Sequence, residues 1–160
     1  MANRPVTPTD FRTAMGQFAS GVTVITAVHD GEAHGMTANA FISVSLEPPL
    51  ILVSVDKRAH MHELLTQSAR YGVSILSAAQ VQHSDHFAGR VSEGFSPNFV
   101  WVEAMPLIAG ATTHLIAEVV ACHSAGDHTL FVGEVVYSAV PGGEPLLYFA
   151  GHYDQLTSTD

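Results

Sequence analysis

Only one of the 160 residues, Cys122, is a cysteine, and only six are basic: Arg4, Arg12, Lys57, Arg58, Arg70 and Arg90. A single thiol excludes an intramolecular disulfide and fits a reducing compartment, so the expected location is cytoplasmic. With 15 acidic residues the formal charge is -9, and a chain so short of Lys and Arg lacks the clustered cations that grip a nucleic-acid backbone. Nucleic acid is therefore not an expected partner. No stretch approaches the ~20 apolar residues that cross a bilayer, and Met1 to Asp10 hold no apolar signal core, so no membrane association is expected. Charged residues make up 13% of the chain, against about 25% in ordinary soluble domains, while 47% are hydrophobic. That is too little charge to coat an isolated globule, and a homodimer that covers an apolar face is the expectation.

Several sequence motifs are missing as well. There is no G-x-G-x-x-G after a strand, no G-x-x-x-x-G-K-[ST] and no G-x-S-x-G, which removes support for Rossmann, P-loop and α/β-hydrolase chemistry. Ten histidines invite a metal site. His83 and His86 would share a helical face, and His60 and His62 would share one only on a strand. Three or four converging ligands are needed, H-E-x-x-H is absent, and no metal is expected.

What is present reads as one domain spanning 1–160. Thr7, Pro8 and Asp10 form an N-cap, a proline at the first helical position and an acid in the first turn. They predict a helix that ends at Gly21 and packs on the body through Phe11, Met15 and Phe18. Val22 to Val28 and Ala33 to Met36 read as strands joined at Asp30-Gly31. Leu50 to Val55 is an apolar run expected to be buried on both faces, Met61 to Leu65 a short helix, and Tyr71 to Leu76 a strand. Ser77 and Gln80 resemble a capping box that opens a helix to about Phe87. Gly89 to Asn98 has no periodicity and reads as a long loop of the kind that is commonly functional. His114 to Ala121 and Thr129 to Tyr137 alternate and should pair across Gly126-Asp127, and Leu146 to Phe149 is a last strand. Many strands, few helices and no βαβ alternation predict a mainly β, α+β fold: an antiparallel barrel with peripheral helices.

The remaining candidate for chemistry is Gly35-Met36-Thr37-Ala38-Asn39-Ala40-Phe41, followed by Ser43-Val44-Ser45-Leu46-Glu47-Pro48-Pro49. Small and hydroxyl-bearing residues at a strand end leave backbone N–H groups uncovered, able to meet an anion or the polar edge of a planar ring. The same residues also suit an ordinary turn.

Longer matches decide between these. The runs Phe11-Arg12 through Phe18-Ala19-Ser20-Gly21-Val22-Thr23-Val24-Ile25-Thr26 and His34-Gly35-Met36-Thr37-Ala38-Asn39-Ala40-Phe41 resemble the short-chain flavin reductases that serve two-component flavin monooxygenases. So, in order, do Ser43-Val44-Ser45-Leu46, Phe87-Ala88-Gly89, Gly126 to Val135, Pro145-Leu146-Leu147 and Gly151-His152-Tyr153. Among these enzymes, the reductase components of phenol hydroxylases and styrene monooxygenases are the most similar.

The resemblance implies an FMN-binding-type split β-barrel homodimer that takes hydride from NADH and supplies reduced flavin to an oxygenase component. The implied cofactor is FAD, with FMN possible. Gly35, Met36, Thr37, Ala38 and Asn39 would lie along the isoalloxazine and ribityl chain. Ser54, Val55 and Asp56 would line the ribityl-phosphate side, and Phe87 and Ala88 would close the pocket. His128 and Tyr153 would meet the nicotinamide dinucleotide. No side chain is expected to act as acid or base, since the cofactor carries the hydride chemistry. Gly35 and Ala38 are expected to leave room for the two stacked rings, and the amides of Ala38 and Asn39 to face the reduced flavin. Lys57, Arg58 and Arg90 are the cations close in sequence to these segments, expected at the flavin phosphate. Arg90 to Asn98 matches the family poorly. A pyridoxamine-phosphate-oxidase-like flavoprotein and a flavin-binding electron carrier are the alternatives.

Overall fold

The computed structural model describes residues 4–157. Thr7 opens the first helix as expected: its hydroxyl accepts from the Asp10 amide at 3.1 Å, while the Asp10 carboxylate accepts from the Thr7 amide at 3.0 Å. This capping box and the proline inside it start α1 (Pro8–Gly16). The helix stops at Gln17, short of Gly21. The face expected to pack on the body does not: Phe11, Met15 and Phe18 are 61%, 52% and 75% exposed, and α1 buries no residue. Among the described residues that face is left largely uncovered.

The strands follow as β1 (Ser20–Gly21), β2 (Thr23–His29), β3 (Glu32–Ala38), β4 (Phe41–Leu46) and β5 (Pro49–Asp56), then α2 (His60–Gln67) and β6 (Arg70–Ile75). Next come α3 (Val81–Phe87), β7 (Phe99–Val102), β8 (Met105–Ile108), β9 (Thr113–Ala125), β10 (His128–Ala139), β11 (Leu147–Phe149) and β12 (His152–Asp154). The fold is mainly β with three helices, and every ladder is antiparallel. No helix among the described residues is long and apolar enough to cross a membrane.

Seven strands form the main sheet in the order β3-β2-β6-β9-β10-β5-β4. Its two edge strands, β3 and β4, are consecutive in the chain and joined only by Asn39 and Ala40. Three Cα–Cα steps span about 11 Å at most, so the sheet must curl until its edges nearly meet at this link. No ladder joins β3 to β4 among the described residues, so the sheet is not a closed barrel.

Asp30-Gly31 turns β2 into β3 with both φ angles positive, 50° and 78°, the geometry of the tight hairpin turns that match strand twist. The β7–β8 hairpin uses the same device at Glu103 and Ala104, φ 46° and 62°. Neither is glycine or asparagine, so the sequence carries no turn signal there. A left-handed non-glycine residue costs roughly 1–2 kcal/mol. Ala104→Gly should therefore raise unfolding stability by about 1 kcal/mol in urea titrations, and an unchanged midpoint would show the turn to be unstrained.

Two further expectations are corrected. β5 is not buried on both faces: Ile51, Val53 and Val55 are buried, while Leu50, Leu52 and Ser54 are half-buried, because β5 lies next to the edge strand. The Gln80 side chain does accept from the Ser77 amide at 3.0 Å, but α3 begins after Gln80, which is itself the cap residue. The main core surrounds Ile25, Tyr71 and Phe131, closed by Met61, Leu64 and Leu65 of α2. Each such side chain contributes about 1.5–3 kcal/mol on burial. A second core of Val22, Val24, Leu76, Ile108 and Leu146 carries Phe87, Tyr148 and Tyr153 on its border, and the candidate site rests on it.

Candidate functional site

The pleat divides β3 between two environments. Met36 packs against the main core and Ala38 is 9% exposed, whereas Gly35 and Thr37 face α3. The Thr37 hydroxyl donates to the Ser84 carbonyl at 2.6 Å. At Gly35 an added Cβ would stand 2.6 Å from the Phe87 ring, so this glycine seats the phenylalanine. It does not leave room for a stack of ligand rings, as the sequence reading had it.

Beside this contact lies a cavity of about 190 Å3 lined by Val22, Thr37, Asn39, Ser84, Ala88, Arg90, Tyr148 and Tyr153. A second hollow of about 240 Å3, lined by Ser20, Gly21, Thr23, Asn39, Phe41 and Ile75, shares Asn39 with the first. The two hollows flank the link where the sheet edges approach. Of the residues singled out in the sequence, Thr37, Asn39, Ala88 and Tyr153 are thus brought together, and Phe87 forms the wall behind them.

At the rim, Asp85 Oδ1 accepts from Arg90 Nε and Nη2 at 2.9 and 2.6 Å and from the Tyr153 hydroxyl at 2.8 Å. Arg90 Nη2 also donates to the Tyr153 oxygen at 3.0 Å. These bonds hold the Asp85 carboxyl below its usual pKa and raise that of Arg90, and burial raises that of Tyr153.

The remaining residues form a second group at the far end of β5. Ser54 spends its amide on the Ala40 carbonyl at 3.0 Å, which ties β5 to the β3–β4 link. Val55 is buried in the core, so only its backbone can face a ligand. Asp56 stands opposite His128 in the β5–β10 ladder, and hydrogen bonds from Arg58 hold its carboxyl well below the carboxylate range.

Lys57 Nζ donates to Ser124 Oγ at 2.7 Å and to the Gly126 carbonyl at 2.6 Å, and its amide donates to the Asp127 carbonyl. It clamps the β9–β10 turn. In that turn His128 Nδ1 lies 2.8 Å from Asp127 Oδ1; a carboxylate only accepts, so the proton sits on Nδ1. The three cations expected at a phosphate are each engaged within the chain: Lys57 by the turn, Arg58 by Asp56 and Arg90 by Asp85.

Each hollow alone is smaller than the roughly 300 Å3 of a small-molecule pocket, and Asn39 is the residue they share. Hydroxyl, carboxamide and tyrosyl groups around them suit the polar edge of a planar ring. The donor set fits a flavin ring better than a free phosphate, which finds no uncommitted cation among Lys57, Arg58 and Arg90.

A family model described as "flavin reductase like domain" matches residues 15–157. The chain belongs to the flavin reductase-like family. An NADH-dependent flavin reductase from Rhodococcus sp is 47% identical over 154 residues, covering 94% of this chain and 88% of that protein. The reductase component of 4-hydroxyphenylacetate 3-monooxygenase from Thermus thermophilus is 40% identical, over 91% of this chain and 95% of its own length. Among solved structures, the Streptomyces globisporus NADH:FAD oxidoreductase SgcE6 in complex with NAD and FAD fragments superimposes with a TM-score of 0.87. It is 40% identical and covers 97% of this chain and 98% of its own.

Sequence reasoning missed Val22, Ser84, Asp85 and Tyr148 as residues of this flavin reductase-like site. Ser84 and Asp85 lie on a seven-residue helix with no motif of its own. The five-residue step from Asp85 to Arg90 crosses the helix end, so no periodicity could have paired them.

Proposed function

We propose that this chain is an NADH-dependent flavin reductase that hands reduced flavin to the oxygenase component of a two-component monooxygenase. The observation that carries the reading is the paired hollow around Asn39, where a curled antiparallel sheet brings its edges together beside Thr37, Ser84 and Tyr153. Belonging to the family supports it, as do NADH and flavin in the relatives' names. When bound, the flavin takes hydride from the nicotinamide and carries it away as reduced flavin.

The chain's own residues bind and orient. Thr37 and Asn39 line the ring on the sheet side. Phe87, seated on Gly35, and Ala88 close it from α3. Ser54 and Asp56 hold the ribityl side, with Met36, Ala38, Val55 and Lys57 fixing that backbone from behind. His128, its tautomer set by Asp127, and Tyr153 meet the dinucleotide. No general acid or base is required, which suits a site of hydroxyls and amides.

The unpaired approach of β3 and β4 supports the split-barrel description. The exposed apolar side chains of α1 and β4 support a homodimer. FAD is the cofactor of choice, FMN the lesser one. The chain works as a single domain, and its lone free cysteine suits the cytoplasm.

The decisive experiment titrates the purified chain with FAD, FMN and riboflavin, then mixes it with NADH under anaerobic conditions. Loss of the flavin's visible absorbance at a rate proportional to protein is the expected result. Flavin binding without bleaching would make the chain a carrier, and neither binding nor bleaching would overturn the assignment.

A further inference from the structure

Three segments far apart in sequence meet at the cavity rim: the end of α3, the stretch 88–98, and β12. One carboxylate oxygen, Asp85 Oδ1, takes the Arg90 and Tyr153 hydrogen bonds together. Tyr153 also lies 2.9 Å from Ser84 Oγ, and the Ser84 carbonyl accepts from Thr37 of β3. A continuous run of hydrogen bonds therefore follows the rim from β3 to the stretch 88–98. Thr37, Ser84, Arg90 and Tyr153 line the cavity, while Asp85 stands behind them.

The stretch itself has neither helix nor strand, and Gly89 and Gly94 adopt φ of +84° and +78°. Further contacts hold its first part: the Ala88, Gly89 and Arg90 amides on carbonyls of α3, and the Phe95 ring edge-on to His83 and tilted against His86, at 5.0 and 5.4 Å; at its far end the Asn98 carbonyl accepts from the Ala109 amide at 2.9 Å. Apart from that last bond at Asn98, these anchors run back to α3.

We propose that Asp85 is a positioning residue, which ties stretch 88–98 and β12 into one wall through Arg90 and Tyr153 and so holds the cavity at the width its ring ligands need. The kinetic consequence rests on the flavin reductase reading above; the mechanical one does not. A purely stabilising role fits the geometry poorly, because the side chains of Asp85 and Arg90 are 31% and 62% exposed and exposed ion pairs add little to stability. Placement is a different matter, since a wall displaced by about 1 Å can cost on the order of a hundredfold in rate or binding.

The test uses Asp85→Asn in the full chain, with Asp85→Glu as the conservative variant. Trypsin cleavage after Arg90 reports the wall directly, and cuts after Arg58 and Arg70 serve as internal controls. Asp85→Asn should speed cleavage after Arg90 by about tenfold, an opening equilibrium shifted by one decade, with the controls and the urea midpoint unchanged. Added FAD should slow that cleavage. In turnover, KM for flavin and for NADH should rise about tenfold while kcat falls less than threefold, the pattern of lost ground-state binding, and Asp85→Glu should recover most of it.

Tyr153→Phe, whose ring stays packed against Tyr148 at 5.6 Å, should give a smaller increase in cleavage because Arg90 keeps its carboxylate. Wild-type cleavage after Arg90 in Asp85→Asn overturns the proposal, as does a loss of stability large enough to speed every cut equally. Faster cleavage that FAD does not slow upholds the positioning role of Asp85 and sinks the flavin reading instead.

Discussion

A valine at position 35 should weaken flavin binding by at least about tenfold, although valine is a better strand former than glycine. The cause is the seat of Phe87. A Cβ on residue 35 would stand 2.6 Å from two carbons of that ring, closer than real contacts allow, so the ring and the helix that carries it must move. Overpacking of this kind costs roughly 1–3 kcal/mol, and here the strain falls on the wall of the cavity. α3 holds Ser84, whose carbonyl is bonded to Thr37, and ends beside Ala88 and Arg90. Pushing it outward breaks the register between β3 and α3 on both sides of the ring site. Fluorescence titration with FAD gives the affinity and urea unfolding gives the stability. Wild-type affinity in the valine variant would mean that Phe87 does not shape the site.

The paired substitution Ile42→Asp and Leu46→Asp should halve the mass of the protein in solution, measured by light scattering after size exclusion. β4 is a sheet edge, and exposed edges in monomeric proteins are guarded by charge, proline or short length. Here the edge shows Ile42, Val44 and Leu46 at 57%, 48% and 91% exposure, with no charged residue from Phe41 to Leu46. Phe11 and Met15 on α1 and Phe18 just beyond it add further exposed apolar side chains, and large exposed apolar patches mark interaction sites. A second copy is the simplest cover. Two carboxylates on the edge would have to be buried uncompensated on association, which removes the driving force. Flavin retention should fall in parallel if the partner copy closes the hollow beside Phe41. A wild-type protein that elutes as a monomer would remove the proposal.

Much of the fold was legible because its signals are local. The Thr7–Asp10 box, the Asp30-Gly31 hairpin and the β9–β10 pair across Gly126-Asp127 rest on residues a few positions apart. β4 escaped notice because Ser43 and Ser45 read as turn residues. The β7–β8 hairpin escaped because Glu103 and Ala104 hold a left-handed turn without a turn residue. Of the candidate site, the cavity-lining Thr37, Asn39, Ala88 and Tyr153 were found through resemblance, while Asp85 and Ser84 had no signature at all.

The sequence by itself determined the antiparallel, mainly β class and the scarcity of cations, since composition and period are properties of neighbours along the chain, while the candidate site segment 35–41 was reached only through resemblance. Tertiary structure alone decided which groups are free to act. Lys57 is claimed by Ser124 and Gly126, Arg90 by Asp85 and Tyr153, and the space above Gly35 by Phe87. Most of those partners lie tens of residues away, and a side chain's availability depends on what the fold brings beside it.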